Sequence, residues 1–248
     1  MTLPAAFLRG HIAHRGLHGP DRPENSMAAF RAAIDRGLAI ELDVQPSSDG
    51  VAMAFHDADL HRLTGQAGRT DGTDADTLSR TRLLGGDGGV PRLSEVLALI
   101  AGRVPLLIEI KDQDGAMGPD VGPLERAVID ALDGYAGDVA VMSFNPHSVD
   151  VFRREAPHIP RGLVTAPFHA HQWPDLPDAT RAHLAAIADF DRTGASFVSH
   201  QADALDMPVV AELRARGVPV LCWTVRSPAE EALARRHADA VTFEGYLP

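Results

Sequence analysis

The sequence predicts an α/β fold, a closed (β/α)8 barrel with a small insertion after its second strand. Three observations lead there. Short apolar runs alternate with amphipathic helical stretches along the chain, the pattern of a parallel sheet covered on both faces. The strand-like runs number eight, enough to close on themselves as a barrel. No G-x-G-x-x-G follows the first run, so the dinucleotide-binding version of the rival open, doubly wound sheet has no support.

The first strand is read at 11–14, ending on a charged turn. Residues 26–37 follow as a helix: Ser26 caps it, Met27, Phe30, Ala33 and Ile34 fall at helical spacing, and Gly37 stops it. The second strand occupies 39–44, and later strands are expected at 105–111, 139–144, 162–165, 196–199, 218–225 and 239–243. Helical patterns lie near 93–101, 123–133, 146–155, 176–189, 207–216 and 228–236. After Asp43 the pattern changes. Ser48-Asp49-Gly50 is a turn signal between two extended flanks, so a hairpin rising from the barrel mouth would return His56 to the height of Asp43. Residues 57–92, rich in Gly, Asp, Arg and Thr, are read as a cap-like insertion near the mouth, since loops this long are usually functional or disordered.

Composition bounds the function. With 248 residues, 45% hydrophobic and 23% charged, residues 1–248 fit a single large domain with a substantial core. The formal net charge of −11 excludes the broad positive field of a nucleic-acid binder, so an anionic substrate needs a local cluster of cations. Cys222 is the only cysteine, which excludes an intramolecular disulfide and fits a reducing compartment. Residues 1–10 do not read as a signal peptide, and the longest apolar runs are too short to span a bilayer. A soluble, cytoplasmic protein without stable membrane insertion is expected; its oligomeric state is not readable.

The chemically useful side chains concentrate in a few strings. Glu41 and Asp43 are two apart on a strand and share a face. A solvent-facing edge pair is one reading. Apolar Ile40, Leu42 and Val44 flanking them favour the other, a cation site in an otherwise core-like strand, because two buried carboxylates need a counter-ion. Glu109 interrupts a second apolar run, with Lys111 on its face; alone the two would read as an ion pair. Three carboxylates together make an all-oxygen site for one hard divalent cation, Mg2+ or Ca2+. Zinc is disfavoured, as there is no H-E-x-x-H and no cysteine cluster. His14 and His56, two of 12 histidines, suit general acid and base when paired near a cation. Arg15 offers a planar fork for phosphate oxygens and Lys111 a point charge. Glu24 and Asn25 precede the Ser26 cap; they form a turn there or orient His14 or Arg15.

The strings HRG at 14–16, PENS and AF within 23–30, IELDV at 40–44, DG, FHD, L, R and TG within 49–65, IEIK at 108–111, MSF at 142–144 and WTV at 223–225 together resemble the glycerophosphodiester phosphodiesterase family. The resemblance runs nearly end to end in the family's order. It implies a TIM barrel related to the phosphatidylinositol phospholipase C-like phosphodiesterases, a metal on Glu41, Asp43 and Glu109, and His14 and His56 as the acid–base pair. Arg15 and Lys111 would contact phosphate, and Trp223 would line the substrate pocket. The closing Thr242-Phe243-Glu244-Gly245-Tyr246, and the stretch 165–185 with His169, His171, Trp173 and His183, depart from the family pattern and touch regions that shape the alcohol-side pocket. The expected activity is metal-dependent hydrolysis of small glycerophosphodiesters to sn-glycerol 3-phosphate and an alcohol. A lysophospholipase D, or related lipid phosphodiesterase, on the same barrel and a non-catalytic binding module are the alternatives.

Overall fold

The computed structural model describes residues 2–248. Eight parallel strands close into a barrel: β1 (His11–Ala13), β2 (Ala39–Pro46), β4 (Leu106–Ile110), β5 (Val139–Ser143), β6 (Arg161–Thr165), β7 (Phe197–Gln201), β8 (Val220–Val225) and β9 (Ala240–Phe243). Pairing of β1 with both β2 and β9 completes the circle. The remaining strand, β3 (Ala52–Ala54), lies antiparallel to the end of β2 with Val44 opposite Ala54.

Two apolar layers follow from the period-two alternation of strand side chains. Ile40, Leu42, Leu106, Ile108, Val198 and Val241 point outward and pack under the surrounding helices. Those helices are α1 (Met27–Ile34), α4 (Leu93–Ile100), α5 (Pro123–Ala131), α6 (Pro146–Glu155), α7 (Asp178–Ala185), α8 (Phe190–Thr193), α9 (Pro208–Ala215) and α10 (Pro228–Ala234). The pattern at 176–189 thus divides: α7 ends at Ala185, Ile187 takes φ 49, and α8 resumes at Phe190. The inner layer holds Ile12, Leu107, Met142, Val164, Phe197 and Leu221, plugged at the lower end by Leu3 and Phe7. The lower interior is therefore dry and apolar. Charged side chains gather only at the upper end, where the strands' C-termini open.

Two features shape that opening. The Ser47–Val51 turn closes the β2–β3 hairpin, with Ser47 Oγ accepting from Val51 N–H at 2.8 Å and Gly50 at φ +81. Phe55 N–H donates to Asp43 O at 3.1 Å, and Gln45 Nε2 to His56 O at 3.0 Å, which ties the returning strand to β2. Beyond it, residues 57–92 hold α2 (His61–Thr64) and α3 (Ala75–Arg80). Despite weak periodicity this segment has its own small core, in which Leu60, Leu78, Leu83 and Val90 pack on Met53 and Phe55 of the hairpin. No helix among the described residues is long and apolar enough to cross a membrane.

Candidate active site

The strand register sets the acids. Asp43 lies directly across from Glu109 on adjacent β2 and β4, and Glu41 sits one inward-facing step below, opposite Leu107. The three carboxylates are buried, and each offers an oxygen within 4.8 Å of the other two. Like charges this close repel strongly. Burial, then Asp43 and Glu109, push the Glu41 carboxyl well above its ordinary pKa.

Two cations answer part of that charge. Lys111 Nζ lies 2.5 Å from Glu109 Oε1 and 2.7 Å from Asp43 Oδ1. Arg15 Nε lies 3.2 Å from Asp43 Oδ2. Asp43 Oδ1 and Arg15 Nε nonetheless form no aligned hydrogen bond, so both approaches are charge contacts. Burial would raise the Asp43 pKa, but Lys111, His56, Arg15 and His14 together hold it far below the usual carboxylate range. With all three carboxylates ionised, two side-chain cations leave one negative charge in excess. A divalent cation would turn that into one positive charge, the complement of a phosphodiester monoanion. All-oxygen donors and an under-satisfied Asp43 oxygen fit such an ion.

The loop from β1 to α1 is built around this cradle. Arg15 and Asn25 both adopt positive φ, 55 and 53, and Gly16 follows at 79. A side chain at Gly16 would meet Ala29 at 2.9 Å. The strained pair is held by several bonds: Arg15 N–H donates to Glu41 Oε2 at 2.9 Å, and Asn25 N–H to Arg15 O at 2.9 Å. Asn25 Nδ2 donates to Asp43 Oδ2 at 2.9 Å, while its Oδ1 accepts from Asp43 N–H at 3.2 Å. Backbone strain of this kind persists where surroundings over-determine it and clusters at functional sites. Asn25 therefore orients Asp43 and the Arg15 backbone, and the neighbouring Ser26 caps α1 by accepting from Ala29 N–H at 3.2 Å.

Each proposed acid–base histidine is backed by a carboxylate. His14 Nδ1 lies 2.6 Å from Glu244 Oε2, with His14 Nε2 4.0 Å from Glu41 Oε2. His56 Nδ1 lies 2.6 Å from Asp57 Oδ1. In both dyads Nδ1 is the nitrogen held by the carboxylate, and Nε2 is not. Burial lowers the His14 pKa, and the Glu244 hydrogen bond offsets this only in part. Glu244 is held far below its ordinary value, first by His14 and then by the nearby His18. Both histidines act on the charge of Asp43, so they share one neighbourhood.

Glu24 extends the network outward. It accepts from Arg15 at 2.5 Å and from both terminal nitrogens of Arg62 at 2.9 and 2.8 Å. Arg62, on α2, also donates to Asp57 at 2.6 and 2.9 Å. A continuous chain thus runs from Arg15 through Glu24, Arg62 and Asp57 to His56, with its central link in the 57–92 segment. Trp223, at the end of β8, donates from Nε1 to Ser199 O at 3.0 Å and packs edge-on against Phe144 at 5.4 Å. Phe168 and Trp173 complete that aromatic wall. A cleft of about 590 Å³ beside it is lined by Trp173, Trp223, Gln201, Asp203, Arg226 and Glu230. A larger depression of about 820 Å³ lies on the 57–92 segment and includes none of the carboxylates or histidines just described.

Glu244, Asp57 and Arg62 all fall inside strings readable in the sequence, but none of the three carries a role there. Asp57 was legible as the acid beside His56. Arg62 lay inside a recognised string without a role. Glu244 had one usable signal: Ala13 and Phe243 are register partners on β1 and β9, so the residues after them, His14 and Glu244, emerge side by side.

A closed parallel barrel with carboxylates, histidines and two side-chain cations at its C-terminal mouth carries the groups a phosphoric diester hydrolase needs. The chain belongs to the glycerophosphoryl diester phosphodiesterase family, whose model matches residues 14–244. The YhdW protein of Bacillus subtilis is 28% identical over 230 residues, covering 87% of this chain and 86% of that protein. The glycerophosphodiester phosphodiesterase of Caldanaerobacter subterraneus is 33% identical over 168 residues, 62% of this chain and 65% of its own length. Among solved structures, an Oleispira antarctica phosphodiesterase in complex with the product sn-glycerol-3-phosphate superposes with a TM-score of 0.77 at 24% identity, covering 96% of this chain and 94% of its own. A Thermotoga maritima glycerophosphodiester phosphodiesterase gives 0.72 at 21%, covering 95% and 94%. These structural likenesses establish the fold.

Proposed function

We propose that this chain hydrolyses glycerophosphodiesters of small alcohols to sn-glycerol 3-phosphate and the free alcohol, using one divalent cation and the His14–His56 pair. The observation that carries this reading is the meeting of three carboxylate oxygens within 4.8 Å beside two imidazoles, each held at Nδ1 by an acid at 2.6 Å. The Oleispira relative's product complex supports the glycerol phosphate half of the substrate.

Glu41, Asp43 and Glu109 would hold Mg2+ or Ca2+. Such an ion, when bound, supplies positive charge to phosphate or glycerol oxygens and to the charge that develops in the transition state. Arg15 and Lys111 add fixed charge next to it. With Nδ1–H directed at Glu244, buried His14 presents a lone pair at Nε2 and suits the base that takes a proton from the nucleophile. His56, nearer solvent and backed by Asp57, suits the acid that protonates the departing alkoxide. Asn25 holds Asp43, and Glu24 holds Arg15. The alcohol is placed toward the aromatic wall of Trp223 and Trp173, and residues 57–92 act as the cap of this single barrel unit.

Release of glycerol phosphate from glycerophosphocholine, followed with Mg2+, with Ca2+ and with EDTA, tests the reading. Turnover abolished by EDTA and restored by one of the ions is expected, and it would also dismiss a non-catalytic binding module. No turnover with either ion, or turnover indifferent to EDTA, defeats the proposal. The same assay on micellar lysolipids separates this activity from a lysophospholipase D.

A further inference from the structure

A second group of donors stands next to the acidic cradle, on the side of His14. Glu244 Oε2 lies 2.6 Å from His14 Nδ1 and 3.5 Å from His18 Nε2. The three donor atoms lie within 4.8 Å of one another. The other oxygen of Glu244 accepts from Arg226 Nε at 2.8 Å, so Oε2 alone faces the two rings. His18 Nε2 is buried and makes no hydrogen bond to any described residue. A buried polar atom without a partner is uncommon and calls for an explanation.

The donor types differ from those of the cradle. Two imidazoles and one carboxylate are the ligand set of a borderline cation such as Zn2+, whereas three carboxylates suit Mg2+ or Ca2+. The spacing also fits. Tetrahedral bonds near 2.0–2.1 Å put two donors about 3.3 Å apart, close to the present His18–Glu244 separation of 3.5 Å. The 2.6 Å contact between His14 and Glu244 has to open, and opening it breaks their hydrogen bond; the two ring nitrogens already stand within 4.8 Å of each other.

We propose that His14, His18 and Glu244 form a second metal site, for a Zn2+-like cation, whose occupancy switches hydrolysis off by withdrawing His14 from proton transfer. The switching half rests on the role given to His14 under Proposed function. At rest, Nδ1–H points to Glu244 and the Nε2 lone pair is free. A cation at Nδ1 requires the other tautomer: Nδ1 gives up its proton to solvent, its freed lone pair takes the cation, and Nε2 gains a proton from solvent, so its own lone pair is consumed. The ring stays neutral, but Nε2–H no longer accepts a proton. Arg226, on the far oxygen of Glu244, opposes the cation's charge and keeps its binding reversible.

The test titrates Zn2+ by calorimetry, and Co2+ by visible absorption, into the full chain with Mg2+ in large excess to fill the cradle. One retained ion with nitrogen-ligand absorption is expected, with turnover falling in step with occupancy. His18→Gln should keep turnover in the absence of Zn2+ and weaken both Zn2+ binding and inhibition at least about tenfold. Unchanged binding in His18→Gln, or binding lost on adding Mg2+, overturns the site. His18-dependent binding with undiminished turnover overturns the switch and the role of His14 with it. Absence of any Mg2+- or Ca2+-dependent turnover defeats the hydrolase reading instead, while the Zn2+ titration still decides the site.

Discussion

His14 and Glu244 are 230 positions apart in the chain, and their side chains meet at 2.6 Å across the seam where the first and last barrel strands pair. The contact fixes which imidazole nitrogen faces the carboxylate cradle. Replacing Glu244 with Gln should lower kcat about ten- to a hundredfold with little change in KM, because the ring loses its orientation while substrate contacts remain. The Glu244 hydrogen bond raises the His14 pKa against the effect of burial. Its loss therefore moves the acidic limb of the kcat/KM profile to lower pH. A limb that moves upward, or an unchanged kcat, refutes the dyad.

Either His14→Ala or His56→Ala should reduce turnover by about two to four orders of magnitude, with the circular-dichroism spectrum intact. Near-normal kcat in one variant removes that residue from the mechanism.

Arg62 joins Glu24 to Asp57 and so couples Arg15 to His56. Arg62→Ala should cost about tenfold or more in kcat/KM, as loss of an orienting partner does elsewhere, and Arg62→Lys should recover little, since an ammonium lacks the fork that grips two carboxylates. Equal activity of all three proteins would show that the chain of contacts does not bear on catalysis.

Burial, Asp43 and Glu109 raise the pKa of Glu41, so without a cation it retains a proton at pH values where carboxylates are normally ionised. Cation binding stabilises the charged form and expels that proton. Calorimetry in buffers of different ionisation enthalpy should show about one proton released, and affinity should rise by up to about tenfold per pH unit until Glu41 is ionised in the free protein. Glu41→Gln should abolish the release. Binding without buffer dependence contradicts the arrangement.

Inside the barrel, Gly162 leaves room for a ring: a Cβ there would stand 2.4 Å from Phe197. Gly162→Ala should destabilise the fold by about 1–3 kcal/mol through overpacking, measured by urea unfolding. Gly10→Ala, where a Cβ meets nothing within 4 Å, serves as the control and should stay within about 0.5 kcal/mol of the parent.

The barrel is legible in the linear chain, because eight apolar runs separated by helical patterns have few ways to bury both sheet faces. Period-two alternation also put Glu41 and Asp43 on one face of their strand, and Glu109 and Lys111 on one face of theirs, and the symmetric hairpin carried His56 back toward Asp43. These are local rules, and they read directly from neighbouring residues. What stands behind the histidines and around the arginine follows from the folded chain alone. Glu244 reaches His14 because closure places the ends of β1 and β9 together. Glu24 finds Arg62 across 38 positions because the 57–92 segment folds its own small core against the hairpin. Such partners are chosen by side-chain direction after the circle closes, a choice that no local periodicity encodes.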